Sequence, residues 1–198
     1  MSNSRFSLSS LVLVAMFAAL TAVGAWISFP LPFSPVPVAF ANLFVLLSGV
    51  ILGKWLGSLS QVVYVSLGVA GVPVFAGFTA GPGVLAGPTG GYLAGYVLAA
   101  FVAGALVQYL PRAVPDIPRI IAGLVTGGLA LYVPGIIWLA ANLDINVPAA
   151  LVAGFYPYLP GDALKVVVAT VLSASLLQQL PQAGHLATRR LAESEEVG

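Results

Sequence analysis

Long apolar runs alternate with short polar or Gly/Pro-rich segments along almost the whole chain. A membrane-spanning helix needs about 20 apolar residues, with a range of about 17 to 25. Six runs come near that length, and proline, glycine or charged residues bound each of them. We therefore predict six transmembrane helices and a polar tail over residues 181–198; the helices cover residues 8–29, 38–52, 55–71, 90–110, 117–141 and 162–180.

The second and third of these spans are the weakest predictions. The second run is short, and the third contains Ser58, Ser60, Gln61 and Ser66. The alternative is one broken or strongly tilted hairpin in place of two separate spans. In both cases the expected fold is an all-α integral membrane protein, with residues 1–198 forming one compact helical bundle.

The composition supports a membrane protein and excludes several other classes. Of 198 residues, 60% are hydrophobic and 7% are charged, whereas a soluble domain has roughly 25% charged residues. The apolar runs recur to about residue 180, which excludes a signal peptide followed by a soluble body. Cysteine is absent, so disulfides and thiolate metal sites are excluded. A net charge of +1 gives no basic face for nucleic acid.

The cations predict the orientation, because cytoplasmic loops are enriched in Lys and Arg. With an even number of spans, all but one of the seven cations fall on one side, and both termini are predicted to be cytoplasmic. The exception is Lys165, which lies at the opposite end, at the start of the sixth span. The cations on the predicted cytoplasmic side are Arg5, Lys54, Arg112, Arg119, Arg189 and Arg190.

The three loops on the other side, at residues 29–40, 71–96 and 142–162, are rich in glycine, proline and aromatic residues. Irregular backbone near a bilayer is tolerated only where protein buries it or where it lines a cavity. We therefore expect these outer loops to cover a ligand cavity. The alternative is that they only connect helices, although exposed connectors are usually more polar.

Two motifs in these loops carry candidate binding chemistry. In "YLPGDALK", Pro160 and Gly161 interrupt the preceding chain, and Asp162 is a suitable N-cap for the sixth span. Asp162 and Lys165 then share one helix face. Either the aspartate caps the helix while the lysine extends to the membrane interface, or both face inward and bind a polar ligand.

The second motif, "GPTGGY", leads into the fourth span and supplies the hydroxyls of Thr89 and Tyr92. Its glycines either expose backbone N–H groups to an anion at a helix N-terminus or allow close helix packing. In the first span, Ala15 and Ala19 are four residues apart, as are Ala18 and Ala22. That spacing suits close contact with a helix of the same bundle or of a partner protein.

Several enzymatic chemistries are excluded, so we expect neither an enzyme nor a cofactor or metal site. The stretch "GVILGKW" lacks the spacing of a phosphate-binding P-loop. The single histidine, His185, lies in the polar tail, away from any partner for zinc binding or nucleophilic catalysis. An aspartyl protease needs two inward carboxylates, and only Asp162 qualifies.

Four strings resemble the BioY family, the biotin-specific substrate-capture (S) subunits of energy-coupling-factor (ECF) transporters. They are "FSPVPV", "VPVFAG", "GPTGGYLAGY" and "YLPGDALK", at residues 33–38, 72–77, 87–96 and 158–165, and the resemblance extends over about residues 8–180. It implies a subunit in a prokaryotic cell membrane that captures biotin outside with high affinity. It also implies two kinds of partner: a transmembrane coupling protein, docked on Ala15, Ala19, Ala18 and Ala22, and a pair of cytoplasmic ATPases.

The resemblance further assigns ligand-binding roles. Asp162 and Lys165 would bind the ureido ring of biotin. The motif at the start of the fourth span would contribute Thr89, Gly91 and Tyr92 near the ligand. Phe75 and the proline-rich loop would close over the apolar part of the ligand. The chain has Ala39 and Ala41 where the family pattern has Thr and Gln, and Asn42 would compensate. Two alternatives stay open: another small vitamin as the ligand, or an autonomous facilitator or channel without ATPase partners.

Overall fold

The computed structural model describes residues 8–32, 34–111 and 113–179, with side chains to residue 176. The predictions on Arg5, Arg112, His185, Arg189, Arg190 and the tail at 181–198 therefore lie outside the described residues. Helices dominate the described part of the chain. The helices and strands are α1 (Leu8–Trp26), β1 (Ser28–Leu31), β2 (Ser34–Ala39), α2 (Ala41–Val69), α3 (Pro82–Ala86), α4 (Gly90–Tyr109), α5 (Asp116–Leu143), α6 (Val147–Gly154) and α7 (Leu159–Gln179), with single 3-10 turns at Ala76–Phe78 and Tyr156–Tyr158.

A β-hairpin corrects the prediction of an all-α fold and shortens the first span. α1 ends at Trp26, and β1 then pairs with β2 in antiparallel fashion, with Ser28 opposite Ala39 and Phe29 opposite Val38. The prolines of this segment fix φ in a range that suits extended backbone but cannot donate to a ladder. A two-stranded ribbon has a free edge on both sides, so these missing donors are tolerated. The proline-rich segment is therefore extended, and its two parts pair as strands.

The predicted second and third spans overlap the single element α2, which is broken at Gly53, although residues 38–39 of the predicted second span belong to β2. The backbone of Gly53 has φ 81° and ψ 172°, a conformation that favours glycine. Ser48 Oγ lies 3.4 Å from the carbonyl oxygen of Gly57, whereas nine residues of straight helix would separate these positions by about 13 Å. Residues 54–69 therefore fold back against residues 41–52. Five helical stretches of the described chain are long and apolar enough to cross a membrane, rather than six separate spans.

One end of the bundle collects the irregular segments. Trp26 Nε1 donates to the carbonyl oxygen of Pro73 at 2.8 Å, which joins the end of α1 to the segment after α2. Tyr158 hydrogen-bonds the hydroxyl of Ser34 at 2.8 Å, which joins the segment before α7 to β2. We call this end, which carries the β-hairpin, α3 and α6, the hairpin end.

The opposite end carries Lys54 at the reversal of α2, and we call it the Lys54 end. The Lys54 ammonium donates to the hydroxyl of Tyr109, the last residue of α4. Arg119 and Asp116 form an ion pair in the first turn of α5, which follows α4 after a short connection. Because α1 ends and α7 begins at the hairpin end, residues 8 and 179 lie towards the Lys54 end.

The remaining helix predictions agree with the structure, apart from the start of the last one. α4 and α5 match the predicted spans at 90–110 and 117–141 within two residues at each boundary. α7 begins at Leu159, so Asp162 lies in its first turn and is not the predicted N-cap. Pro160 is accommodated there because the first N–H groups of a helix have no intrahelical partner.

Close approaches at glycine hold the first half of α2 against α4 and the two halves of α2 against each other. A Cβ atom on Gly49 would collide with the backbone of Ala100, and one on Gly57 would lie 2.8 Å from Gly49 Cα. We expect Gly49→Ala to lower the free energy of unfolding by about 1 to 3 kcal/mol, because backbone atoms cannot move aside as a flexible side chain can. Gly161→Ala is the matched control, since a Cβ there meets nothing within 4 Å. Denaturation of both purified variants checks this, and equal stability would contradict the close crossing.

Candidate functional site

A cavity of about 320 Å³ lies beneath the irregular segments at the hairpin end. We call it the main cavity. The strand β2, both halves of α2, the segment at 70–89, α4, α5 and the residues between α6 and α7 all contribute to its wall. Its lining includes Ala25, Pro35, Val36, Pro37, Ala39, Asn42, Tyr64, Phe75, Ala76, Thr79, Val84, Gly87, Pro88, Thr89, Tyr92, Leu93, Tyr96, Leu131, Tyr132, Gly154 and Tyr158.

Side-chain hydrogen bonds to backbone close the cover over this cavity. The Tyr158 hydroxyl bonds the carbonyl oxygen of Val36 in β2. The Tyr92 hydroxyl donates to the carbonyl oxygen of Gly154 at 3.0 Å, which holds the end of α6 against α4. Trp138 Nε1 of α5 donates to the carbonyl oxygen of Gly87 at 2.9 Å. The prediction that the three loops meet over a cavity is therefore confirmed.

The wall of the main cavity is apolar with scattered neutral polar groups. Tyrosine hydroxyls, the hydroxyls of Thr79 and Thr89 and the amide of Asn42 are its polar groups, and none of the described residues that line it is charged. Ligand sites of this kind bind an apolar body and use a few polar groups to orient it. The arrangement suits a small, largely neutral molecule.

A second cavity, of about 190 Å³, adjoins the first and contains the charged pair. Lys165 Nζ donates to Asp162 Oδ1 at 3.0 Å, and the lysine is only 7% exposed. Burial of two charges is costly unless they pair, and here each charge neutralises the other. The second cavity is lined by Asn42, Leu46, Leu124, Val125, Gly128, Leu129, Leu131, Tyr132, Leu159, Asp162, Ala163, Lys165 and Val166.

The structure places most of the residues predicted to bind ligand on these two cavities. Phe75, Thr89 and Tyr92 line the main cavity, and Asn42 lines both. Asp162 and Lys165 line the second cavity. Ala39 lines the main cavity, whereas the fully buried Ala41 does not line either cavity.

Gly91 is the exception among the predicted binding residues. It is buried and does not line either cavity, and a Cβ atom on it would collide with the carbonyl oxygen of Pro134 and the side chain of Trp138. Its role in the structure is close packing of α4 on α5. This matches the packing alternative for the glycine motif, and the predicted position of Gly91 near the ligand stays a prediction.

Sequence reasoning missed the tyrosines that dominate the main cavity, namely Tyr64, Tyr96, Tyr132 and Tyr158. Tyr96 is four residues after Tyr92 and therefore shares its helix face, which is a usable signal. Tyr158 opens the "YLPGDALK" motif but had no assigned role. Tyr64 and Tyr132 stand inside apolar runs without a motif, so only the packing of the bundle identifies them.

The predicted alanine stripe of α1 divides between surface and interior. Ala15 and Ala19 are exposed, and the apolar side chains of Val12, Met16 and Val23 are exposed beside them. Ala18 is 3% and Ala22 6% exposed, so both lie inside the bundle. This corrects the extension of the docking surface to Ala18 and Ala22, which cannot contact a partner without unpacking α1.

Comparisons with known proteins agree over most of the chain. A family model described as "BioY family" matches residues 1–182. The biotin transporter BioY of Thermotoga maritima is 41% identical over 166 residues, which are 84% of this chain and 94% of that protein. The biotin transporter BioY of Rhodobacter capsulatus is 36% identical over 183 residues, covering 88% and 96% of the two chains.

A solved structure has the same fold. The crystal structure of the S-component for biotin from an ECF-type ABC transporter matches with a TM-score of 0.80 and 25% identity. The match covers 90% of this chain and 95% of the other. The fold and the sequence comparisons therefore point to the same family.

Proposed function

The chain belongs to the BioY family, and we propose that it captures biotin with high affinity as the substrate-specific subunit of an ATP-driven ECF-type transporter. The proteins that it resembles are transporters and not enzymes. The observation that carries the proposal is the family match over residues 1–182 in a chain that has a main cavity beside a partly buried Asp–Lys pair. Biotin is here a transported ligand and not a cofactor.

The two cavities offer complementary chemistry for the parts of biotin. Biotin has a neutral ureido ring with two N–H donors and a carbonyl acceptor, an apolar thioether ring and a carboxylate tail. We assign the ureido ring to Asp162, which accepts from an N–H group, and to Lys165, which donates to the oxygen. The apolar parts then lie in the main cavity against Phe75 and Tyr92, and Thr89 supplies a hydroxyl. Asn42, which lines both cavities, can reach either part.

The positions of the cations set the orientation that we propose. Lys54 and Arg119 lie at the Lys54 end, which therefore faces the cytoplasm, and the hairpin end faces outward. The fold-back at Gly53 makes residues 41–52 and 54–69 two short crossings, so the single membrane domain crosses six times and has both termini in the cytoplasm. Of the five candidate spans, α2 is the most deeply buried by the rest of the protein. Its two short halves therefore contact mainly protein and need not match the full thickness of the bilayer. The membrane is the cell membrane of a prokaryote.

Energy for transport comes from partner proteins in this proposal. The apolar face of α1 with Ala15 and Ala19 at its centre is accessible, and small residues allow a partner helix to approach closely. We assign this face to the transmembrane coupling protein, which in turn connects to a pair of cytoplasmic ATPases. Substrate specificity then lies in this chain and ATP hydrolysis in its partners.

Direct binding of labelled biotin to the purified protein tests the proposal. We expect saturable binding that excess unlabelled biotin displaces and that another vitamin, such as riboflavin or thiamine, does not. Absence of saturable biotin binding, together with saturable binding of labelled riboflavin or thiamine, would assign the same architecture to a different ligand. Uptake by cells with and without the coupling protein and ATPases then separates a capture subunit from an autonomous facilitator.

A bulky side chain in the main cavity should weaken binding without unfolding the protein. Ala39 lines the main cavity from β2 and is 9% exposed. We expect Ala39→Phe to raise the Kd for biotin by at least about tenfold. The loss of one well-packed contact region weakens the free energy of binding by more than about 1.4 kcal/mol, which corresponds to that factor. Ala149→Phe is the control, because Ala149 is exposed on α6 at the same end. An unchanged Kd for Ala39→Phe would exclude the main cavity as the binding site.

A further inference from the structure

Tyr132 of α5 stands between the two cavities. It lines both of them, together with Leu131 and Asn42, whereas Asp162 and Lys165 line only the second cavity. The Tyr132 hydroxyl donates to Asp162 Oδ2. A molecule in the main cavity is therefore separated from the charged pair by the ring of a residue that is itself bonded to that pair.

The hydrogen bonds of Asp162 are already made by the protein. Oδ1 accepts from Lys165 and Oδ2 accepts from Tyr132. A carboxylate oxygen can accept a second bond, but the Tyr132 ring occupies the approach from the main cavity. A donor group on a ligand reaches Asp162 from that side only if the Tyr132 side chain moves.

The Tyr132 ring contacts other aromatic side chains on some sides and faces the two cavities on others, so it is not closely packed all round. Its ring centroid is 4.7 Å from that of Phe155 and 6.2 Å from that of Tyr92, both in edge-to-face geometry. One turn earlier in α5, Gly128 lines the second cavity, and a Cβ there would meet only Leu46 Cδ1, at 3.9 Å. Helical side chains incline towards the residue four positions earlier, so the space over Gly128 is within reach of the Tyr132 ring.

We propose that Tyr132 is a ligand-displaced gate that sets access to the Asp162–Lys165 pair. In the unliganded protein the Tyr132 hydroxyl is hydrogen-bonded to Asp162, and the Tyr132 ring separates the two cavities. On binding, a ureido N–H of the ligand replaces the hydroxyl on Asp162, the ring moves over Gly128, and the two cavities join. This inference rests on the proposed binding of biotin, and it assigns to Tyr132 a positioning role that no motif in the sequence indicates.

Removal of the hydroxyl should tighten binding, which is the opposite of the usual effect of a mutation in a binding site. Tyr132→Phe keeps the ring and its aromatic contacts but loses the bond to Asp162. The free state then loses a hydrogen bond to a charged group, and the bound state, in which the hydroxyl has already left, does not. A bond of this kind corresponds to about a tenfold change in an equilibrium constant. We therefore expect the Kd for biotin to fall by about tenfold and the association rate to rise.

Two measurements on the purified full-length chain test the gate. The first is biotin binding by wild type, Tyr132→Phe and the control Tyr109→Phe. Tyr109 also bonds a charged side chain, that of Lys54, but it lies at the opposite end and lines neither cavity. The second uses Leu124→Cys as a reactive probe, since the chain has no native cysteine. Leu124 is fully buried and lines only the second cavity.

Reaction of this cysteine with a water-soluble maleimide reports access to the second cavity without any ligand. We expect Tyr132→Phe to raise the reaction rate severalfold and Tyr109→Phe to leave it unchanged. An unchanged rate in Tyr132→Phe would overturn the gate, whatever the ligand is. A weaker or unchanged affinity of Tyr132→Phe for biotin would also overturn it, because the hydroxyl would then serve the bound state. If the wild type does not bind biotin, the proposed function fails, and the labelling rates still decide whether Tyr132 limits entry to the second cavity from the main cavity.

Discussion

Replacement of Lys165 with methionine should abolish saturable biotin binding and lower the free energy of unfolding by about 3 to 5 kcal/mol. The Lys165 side chain is 8% exposed and that of Asp162 is 23% exposed, so the variant leaves a largely buried carboxylate without its cation. Tyr132 still donates to Asp162, but one neutral hydroxyl does not replace an ammonium. Titration with labelled biotin and denaturation of the same preparation measure both effects.

A double substitution separates the role of the pair in binding from its role in stability. Asp162→Asn combined with Lys165→Met removes both charges, so most of the lost stability should return. Biotin binding should not return, because the ureido ring still lacks its charged partners. Restored binding in the double variant would show that the pair is only structural.

The ion pair of Asp116 and Arg119 is a matched control for this experiment. It has the same spacing of three residues, but its aspartate side chain is 80% exposed at the Lys54 end. Exposed pairs contribute about 0 to 1 kcal/mol. Asp116→Asn combined with Arg119→Met should therefore change neither stability nor biotin binding measurably.

Large side chains on the exposed face of α1 should abolish uptake and leave binding intact. Ala15 and Ala19 are exposed and four residues apart, so tryptophan at both positions would keep a partner helix from approaching closely. Neither alanine lines the main cavity, which α1 meets at Ala25, so biotin binding to the purified variant should stay unchanged. Uptake in cells that also contain the coupling protein and ATPases should fall to background.

Val167 and Val171 provide the control for that result. They are also four residues apart and are 60% and 61% exposed, but on α7. Tryptophan at both positions should leave uptake and binding near wild-type levels. Equal loss of uptake in the two double variants would indicate that any bulky residue on the surface disturbs the subunit, and loss of binding in the α1 variant would show that the face is part of the core.

The limits of α4 and α5 were predictable from the sequence because they depend on local properties. Each helix needs an apolar run of membrane length, and proline, glycine or charge ends the run where the chain leaves the bilayer. The Gly/Pro-rich loops were predictable as the cover of a cavity for a similar reason, since exposed irregular backbone is not tolerated in lipid. The break in α2 was open to both interpretations. Gly53 is one of several glycines in that region, and only the contact between Ser48 and Gly57 across the break shows that the chain reverses there.

The part of the candidate site that could be predicted from the sequence consists of residue types that are rare in a membrane helix. A carboxylate and an ammonium are rare at the start of an apolar helix, so Asp162 and Lys165 were identified from the sequence. The structure shows that they form an ion pair, and their role in ligand binding stays a prediction. Gly91 could not be assigned in the same way. A glycine at a helix N-terminus suits an anion and a neighbouring helix equally well, and the position of Trp138 on α5 decides between them.

By itself, the sequence determined the class of protein, most of its spans, the charged pair and, through four motifs, the family. Each of these follows from composition or from neighbours along the chain. Only the tertiary structure decided which alanines of α1 face outward, because a spacing of four residues defines two stripes and the contact with α2 selects the buried one. It also decided that Tyr132 separates two cavities, because the contact with Asp162 joins residues 30 positions apart that meet only when α5 packs on α7.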